Sequence, residues 1–123
     1  MLVIKTVLAY REEIATLIFD EIDTGISGIT AGKVAEKMEM LAKEYQVICI
    51  THLAQIAAMA DAHYVIEKTV QDGVTKTAIN ELTEEESVAE LSRLLGGSAV
   101  TESIRQSAVE LKKMAELSKR KSE

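Results

Sequence analysis

The sequence predicts an α/β fold: a parallel-sheet core of βαβ type, followed by a β-hairpin and C-terminal helices. Three observations predict it. Two apolar runs, Ala15-Thr16-Leu17-Ile18-Phe19-Asp20 and Gln46-Val47-Ile48-Cys49-Ile50-Thr51, do not alternate with polar residues, as strands buried on two faces of a parallel sheet read. Between them, Gly28 to Tyr45 sets Val34, Met38, Leu41 and Tyr45 on one helical face and turns Lys33, Glu36, Lys37, Glu39 and Lys43 away from it. Finally, 47% of the 123 residues are hydrophobic, which suits a chain that buries a core.

Met1 to Tyr10 is largely apolar, with Ile4, Leu8 and the aliphatic part of Arg11 at helical spacing and no capping residue in front. A native domain seldom opens inside a buried helix, so more of the fold is expected to precede Met1. The strand, helix and strand that follow should form a right-handed unit with its functional loops at the carboxyl ends of the strands. Leu53 to Ala60 reads as a short Ala-rich helix leading to a strand near His63 to Thr69. Gln71-Asp72-Gly73 then returns the chain through Thr75 to Leu82, because Asp-Gly accepts the positive φ of a tight hairpin. Thr83 with Glu86 three residues on is a capping box, predicting a helix from about Glu84 to Leu95 that buries Val88, Leu91 and Leu95 and stops at Gly96-Gly97. A last helix, about Thr101 to Ser118, carries Ile104, Ala108, Leu111 and Ala115 on one face, and Lys119-Arg120-Lys121 reads as a frayed, solvated end. With no repeat, low-complexity tract or linker, residues 1–123 read as a single domain.

Composition excludes several function classes. No run approaches the roughly 18 to 20 apolar residues of a membrane-spanning helix. Met1 to Ala9 has neither the basic segment nor the small-residue cleavage site of a signal peptide, so a cytoplasmic protein with no membrane partner is expected. A lone cysteine, Cys49, has no internal disulfide partner and reads as a small buried side chain. With 14 Lys and Arg against 20 Asp and Glu, the net charge of −6 disfavours nucleic-acid binding by this segment as a whole.

Chemistry concentrates where the first strand ends. Leu17-Ile18-Phe19-Asp20-Glu21 closes an apolar strand on two adjacent carboxylates. A rigid strand fixes Asp20 where it can hold Mg²⁺ directly or through water. Glu21, one residue on, can orient and deprotonate a water attacking a γ-phosphate. The loop Asp23-Thr24-Gly25-Ile26-Ser27-Gly28 adds a third acid and two glycines on the same edge. Thr51-His52 stands at the end of the second strand, on that edge if the strands are parallel neighbours, and its imidazole can donate to a terminal phosphate oxygen. His63, with only Asp61 as an acidic neighbour, reads as structural.

Two further matches fail. In Ser27-Gly28-Ile29-Thr30-Ala31-Gly32-Lys33-Val34, Ser27 replaces the first glycine of a P-loop and Val34 the hydroxyl residue that would reach Mg²⁺, so the segment is a helix N-terminus. Leu94-Leu95-Gly96-Gly97-Ser98 has a glycine pair that follows a helix instead of opening one, so it is a helix stop.

The stretches Thr16 to Gly28 and Ile50-Thr51-His52-Leu53-Ala54-Gln55-Ile56-Ala57-Ala58 together resemble the carboxyl-terminal part of the RecN family of bacterial DNA repair proteins, in the SMC-like branch of the ABC ATPases. The resemblance covers nearly the whole chain. It implies a partial ABC-ATPase head in which Asp20 and Glu21 are the Walker B pair, with Asp20 supporting Mg²⁺ and Glu21 acting as general base. It further implies that Asp23, Thr24 and Gly25 form the D-loop contacting the partner site, and that His52 is the switch histidine on the γ-phosphate of ATP. The sequence departs from the family pattern at Ala15 and Ala54, where proline is usual; both changes loosen a turn and remove no reactive group. The family's P-loop, signature motif and coiled coil are not in this sequence. The partners implied are the N-terminal half of the same head, a second head in an ATP sandwich, and DNA through the full-length protein. Alone, the chain is expected neither to hydrolyse ATP nor to bind it tightly.

Two other readings compete. Asp20-Glu21-Ile22-Asp23 also fits the D-E-x-D pattern of helicases, although Ile50-Thr51-His52 stands where a Ser-Ala-Thr-like strand end is expected. A non-catalytic acidic interaction domain would make the same carboxylates surface charge.

Overall fold

The computed structural model describes residues 15–20 and 27–121. The element expected over Met1 to Tyr10 lies outside them. Among the described residues, two small sheets and four helices occur in the order β1 (Thr16–Asp20), α1 (Gly28–Leu41), β2 (Gln46–Ile50), α2 (Ala54–Ala57), β3 (Tyr64–Gln71), β4 (Val74–Glu81), α3 (Glu84–Gly96) and α4 (Glu102–Lys121). β1 and β2 pair in parallel, from Thr16 opposite Gln46 to Asp20 opposite Ile50. β3 and β4 form the antiparallel hairpin.

Helix α1 starts where the sequence says. Ser27 is its N-cap, in extended backbone, and its hydroxyl accepts from the Thr30 N–H at 3.4 Å. Its buried face is Ala31, Ala35, Met38 and Leu41, with Val34 half-buried beside them. The two alanines let the helix backbone come close to the strands, and Leu17 and Phe19 of β1 fill the space below. The helix ends at Leu41, short of Tyr45: the Lys43 and Glu44 N–H groups turn to the carbonyls three residues back, Met40 and Leu41, at 3.4 and 3.1 Å, and the tightened turn leads into β2. Tyr45 and Cys49 nonetheless pack against this core, Cys49 only partly buried.

The strands differ from expectation in one respect. Burial in β1 alternates, with Leu17 and Phe19 inward and Thr16, Ile18 and Asp20 outward, and β2 follows the same rhythm. Ile18, Ile48 and Ile50 are 57%, 43% and 42% exposed. The physical reason is that a two-strand unit has a single crossover helix, so α1 covers one face of the pair and, among the described residues, nothing covers the other.

A second core forms around Leu91, with Ala54, Ala57, Ala58, Ala108 and Ala115. The single turn of α2 joins the two cores: Ile56 enters the first, while Ala54 and Ala57 enter the second. Helix α3 carries the expected capping box. The Thr83 N–H donates to Glu86 Oε2 at 2.8 Å, and the Glu86 N–H donates to Thr83 Oγ1 at 3.3 Å. It ends on Gly97, whose φ of 61° and ψ of −126° suit only glycine, with the Gly97 N–H on the Arg93 carbonyl. The buried face is Ser87, Leu91 and Ser92; Leu95, expected inside, is 40% exposed because it lies one turn past the alanine layer that encloses Leu91.

The hairpin turn is Asp72-Gly73, both at positive φ, as a two-residue loop matching strand twist requires. Helix α4 runs to Lys121, so the expected frayed end is instead helical. In the second half of α4, Lys119 Nζ contacts Asp61 Oδ1 at 2.8 Å and Lys112 Nζ contacts Glu84 Oε2 at 2.7 Å.

Leu91 and Leu95 of α3 separate burial from composition. Leu91→Ala should lower the unfolding free energy by about 2–5 kcal/mol, whereas Leu95→Ala should cost less than about 1 kcal/mol, both read from urea unfolding followed by circular dichroism.

Candidate functional site

Because β1 and β2 run in parallel, their carboxyl ends share one edge. Asp20 is the last residue of β1, exposed, and in register with Ile50, the last residue of β2. Thr51, His52 and Leu53 follow Ile50 directly. Asp20 and the His52 loop therefore leave neighbouring strand ends on the same side of the sheet. At the opposite end, Thr16 Oγ1 donates to Gln46 Oε1 at 3.1 Å, pinning the same register. Glu21, Asp23, Thr24 and Gly25 lie outside the described residues.

The His52 loop is short and held at both ends. Leu53 is the N-cap of α2, and its carbonyl accepts from the Ile56 and Ala57 N–H groups at 3.2 and 3.1 Å. Its side chain packs against the first core. Thr51 Oγ1 accepts from the Leu53 N–H at 3.0 Å, closing a turn across His52. His52 itself is exposed.

A hard cation such as Mg²⁺ takes oxygen ligands in near-octahedral geometry and is held by one or two carboxylates together with phosphate and water oxygens. Asp20 suits that chemistry as one ligand. Among the described residues no group of three or more His, Cys, Asp and Glu could hold a metal by itself.

Comparison with known proteins adds an independent line. No family model matches the chain. The DNA repair protein RecN of Bacillus subtilis (strain 168) is 44% identical over 116 residues, 94% of this chain and 20% of that protein. RecN of Halalkalibacterium halodurans is 41% identical over 115 residues, and RecN of Treponema pallidum 50% identical over 97 residues. The chain is homologous to RecN. It spans about a fifth of the length of these RecN proteins. Among solved structures, a chain from work on ATP-driven dimerization and DNA-stimulated activation of SMC ATPases superposes with a TM-score of 0.57 at 26% identity, covering 73% of this chain and 53% of that one. The mixed α/β architecture is thus shared with an SMC ATPase.

In this RecN homologue a second polar cluster lies at the far end of α2. His63 Nδ1 and Ser87 Oγ are 2.8 Å apart, and Ser87 is almost wholly buried on α3. Burial pushes the His63 imidazole below its ordinary 6.5; Glu90 opposes the shift and Lys112 adds to it. Nδ1 and the Ser87 hydroxyl share this hydrogen bond, with the donor set by the ring tautomer. Glu90 is held below the usual glutamate range, first by hydrogen bonds from Arg93 Nε and Nη2 at 2.9 and 2.6 Å, with burial working against it. The cluster ties the base of the hairpin to α3, consistent with a structural His63. Nothing in the spacing of the sequence marks Ser87 as its partner; the available clue is a serine on the inward face of α3, one turn before Leu91.

The sign of the pH effect follows. A histidine whose pKa falls on folding takes up its proton more readily in the unfolded chain, so it destabilises the fold as pH drops below 6.5. Glu90 acts in the same direction at lower pH, its contribution being lost as pH falls below 4.5 and through its folded value. Melting temperatures measured between about pH 7.5 and 5.5 should fall on acidification, and His63→Gln should flatten that part of the profile.

Proposed function

We propose that this chain is part of the ATP-hydrolysing head of a RecN-like DNA double-strand break repair and recombination protein. The observation that carries the reading is the parallel register that sets Asp20 beside Ile50, two residues before His52, in a chain homologous to RecN. Bound ATP with Mg²⁺ supplies the scissile phosphoanhydride and the charge neutralisation for its cleavage. Asp20 would hold the cation through its carboxylate. Glu21, as general base, would accept the proton of the attacking water as that water's oxygen bonds to the γ-phosphorus and the bond from that phosphorus to the bridging oxygen breaks, ADP leaving with the bridging oxygen. His52 would donate a hydrogen bond to a γ-phosphate oxygen, stabilising the charge that gathers there. Asp23, Thr24 and Gly25 would form the loop that contacts the second site.

The head needs more than this chain. The P-loop amides and lysine that supply most phosphate affinity would come from the N-terminal half of the same head, and a signature motif from a second head across an ATP sandwich. The strand face of Ile18, Ile48 and Ile50, exposed among the described residues, supports such a division, since a contiguous apolar surface of this kind marks a protein interface. DNA would be engaged through the full-length protein, because this segment is net acidic. The location would be cytoplasmic, nucleoid-associated during repair; no helix among the described residues is long and apolar enough to cross a membrane.

Two measurements test the proposal. In the full-length protein, Glu21→Gln should lower ATP turnover by at least about a hundredfold while leaving ATP binding and head association intact; unchanged turnover would favour a non-catalytic domain. Calorimetry on the isolated chain should detect no micromolar ATP binding, and a Kd in that range would refute the assignment of phosphate affinity to the other half of the head.

A further inference from the structure

We propose that Thr51 is a positioning residue for His52: its side-chain oxygen closes the turn that holds the exposed imidazole at the Asp20 edge. The inference rests on the reading of His52 as the γ-phosphate contact.

The geometry is local and specific. β2 ends at Ile50, and α2 begins at Ala54, so three residues cross the site edge. The outer two are constrained independently. Thr51 follows the strand residue paired with Asp20, while Leu53 is anchored by its side chain in the first core and by its carbonyl at the start of α2. His52 between them is exposed, with its side chain outside both cores. The link across it is the hydrogen bond from the Leu53 N–H to Thr51 Oγ1 at 3.0 Å. That N–H sits at the opening of a helix whose N-cap makes no side-chain hydrogen bond of its own, so the threonine oxygen meets a donor the helix does not satisfy. Restricting Leu53 relative to Thr51 restricts the backbone torsions of His52, and through them the direction in which its Cβ leaves the chain. A catalytic contact held this way is oriented before substrate arrives; freed, it would meet the phosphate in fewer encounters, although the ring and its chemistry are intact.

The test uses the full-length protein containing this chain, with kcat, KM for MgATP and equilibrium ATP affinity measured for Thr51→Val, Thr51→Ser, His52→Ala and the Thr51→Val/His52→Ala double variant. Valine keeps the shape of threonine and loses the acceptor; serine keeps the acceptor and loses the methyl. Thr51→Val should lower kcat by about ten- to a hundredfold, with KM and ATP affinity within about twofold of wild type, as expected when only a transition-state contact weakens. Thr51→Ser should retain wild-type turnover. In the His52→Ala background Thr51→Val should have no further effect, because the residue it positions is gone. Should the valine variant fold poorly by thermal melting, Thr51→Ala against Thr51→Ser makes the same comparison of oxygen present and absent. Wild-type turnover in Thr51→Val beside an inactive His52→Ala overturns the positioning role and leaves the proposed function standing. A Thr51→Val loss that persists in the His52→Ala background overturns it as well. Full turnover in His52→Ala removes the reading on which the inference rests.

Discussion

The parallel pairing of β1 with β2, locked by the packing of Leu17 and Phe19 under α1, is the constraint on which the rest depends. Side chains alternate along a strand, so a slip of one residue would turn Phe19 outward and carry Asp20 to the other face. Burial of a phenylalanine contributes about 1.5–3 kcal/mol, enough to make the slipped register a minor state by itself. Leu17 adds to it on the same face. The position of an exposed acid at the site edge is therefore set by two apolar residues that take no part in chemistry.

The same logic explains how the loop side of the site is built. The neighbours of His52 are held on each side, and the turn between them is closed by a hydroxyl. Further along, His63 is anchored in the opposite manner, half-buried and bonded to a buried serine. Two histidines eleven residues apart in one sequence thus have different environments: one open to solvent at a strand end, the other drawn into the seam between hairpin and helix.

Much of this architecture was legible in the sequence because it is encoded locally. The capping box at Thr83, the Asp72-Gly73 turn, the helix start at Ser27-Gly28 and the glycine stop after α3 each depend on residues within a few positions of one another, and each is found where the pattern put it. Non-local features were not legible. Apolar strands announce that they will be buried without saying how many helices will cover them, so Ile18, Ile48 and Ile50 were expected inside. Lys119 was expected in solvent, since its partner Asp61 is 58 positions away in sequence. In the site, the strand-end placement of Asp20 and His52 followed from the two apolar runs and their proposed roles from the chemistry of those side chains, the resemblance adding the family, whereas the Thr51 turn is visible only in the structure. Homology to RecN over nearly the whole chain sets the helicase pattern of Asp20-Glu21-Ile22-Asp23 aside.

Helix α2 is one turn long, and it meets the second core through Ala54 and Ala57. Alanine has no rotamers, so this face of the turn cannot absorb motion by rearranging side chains as a leucine layer could. Any displacement of the strand-end loop must then either stop at Leu53 or move the whole turn as a rigid block against Leu91. A seam of methyl groups between two cores thereby behaves as a stiff coupling, with very little slack between the strand-end edge and the helices that carry the hairpin.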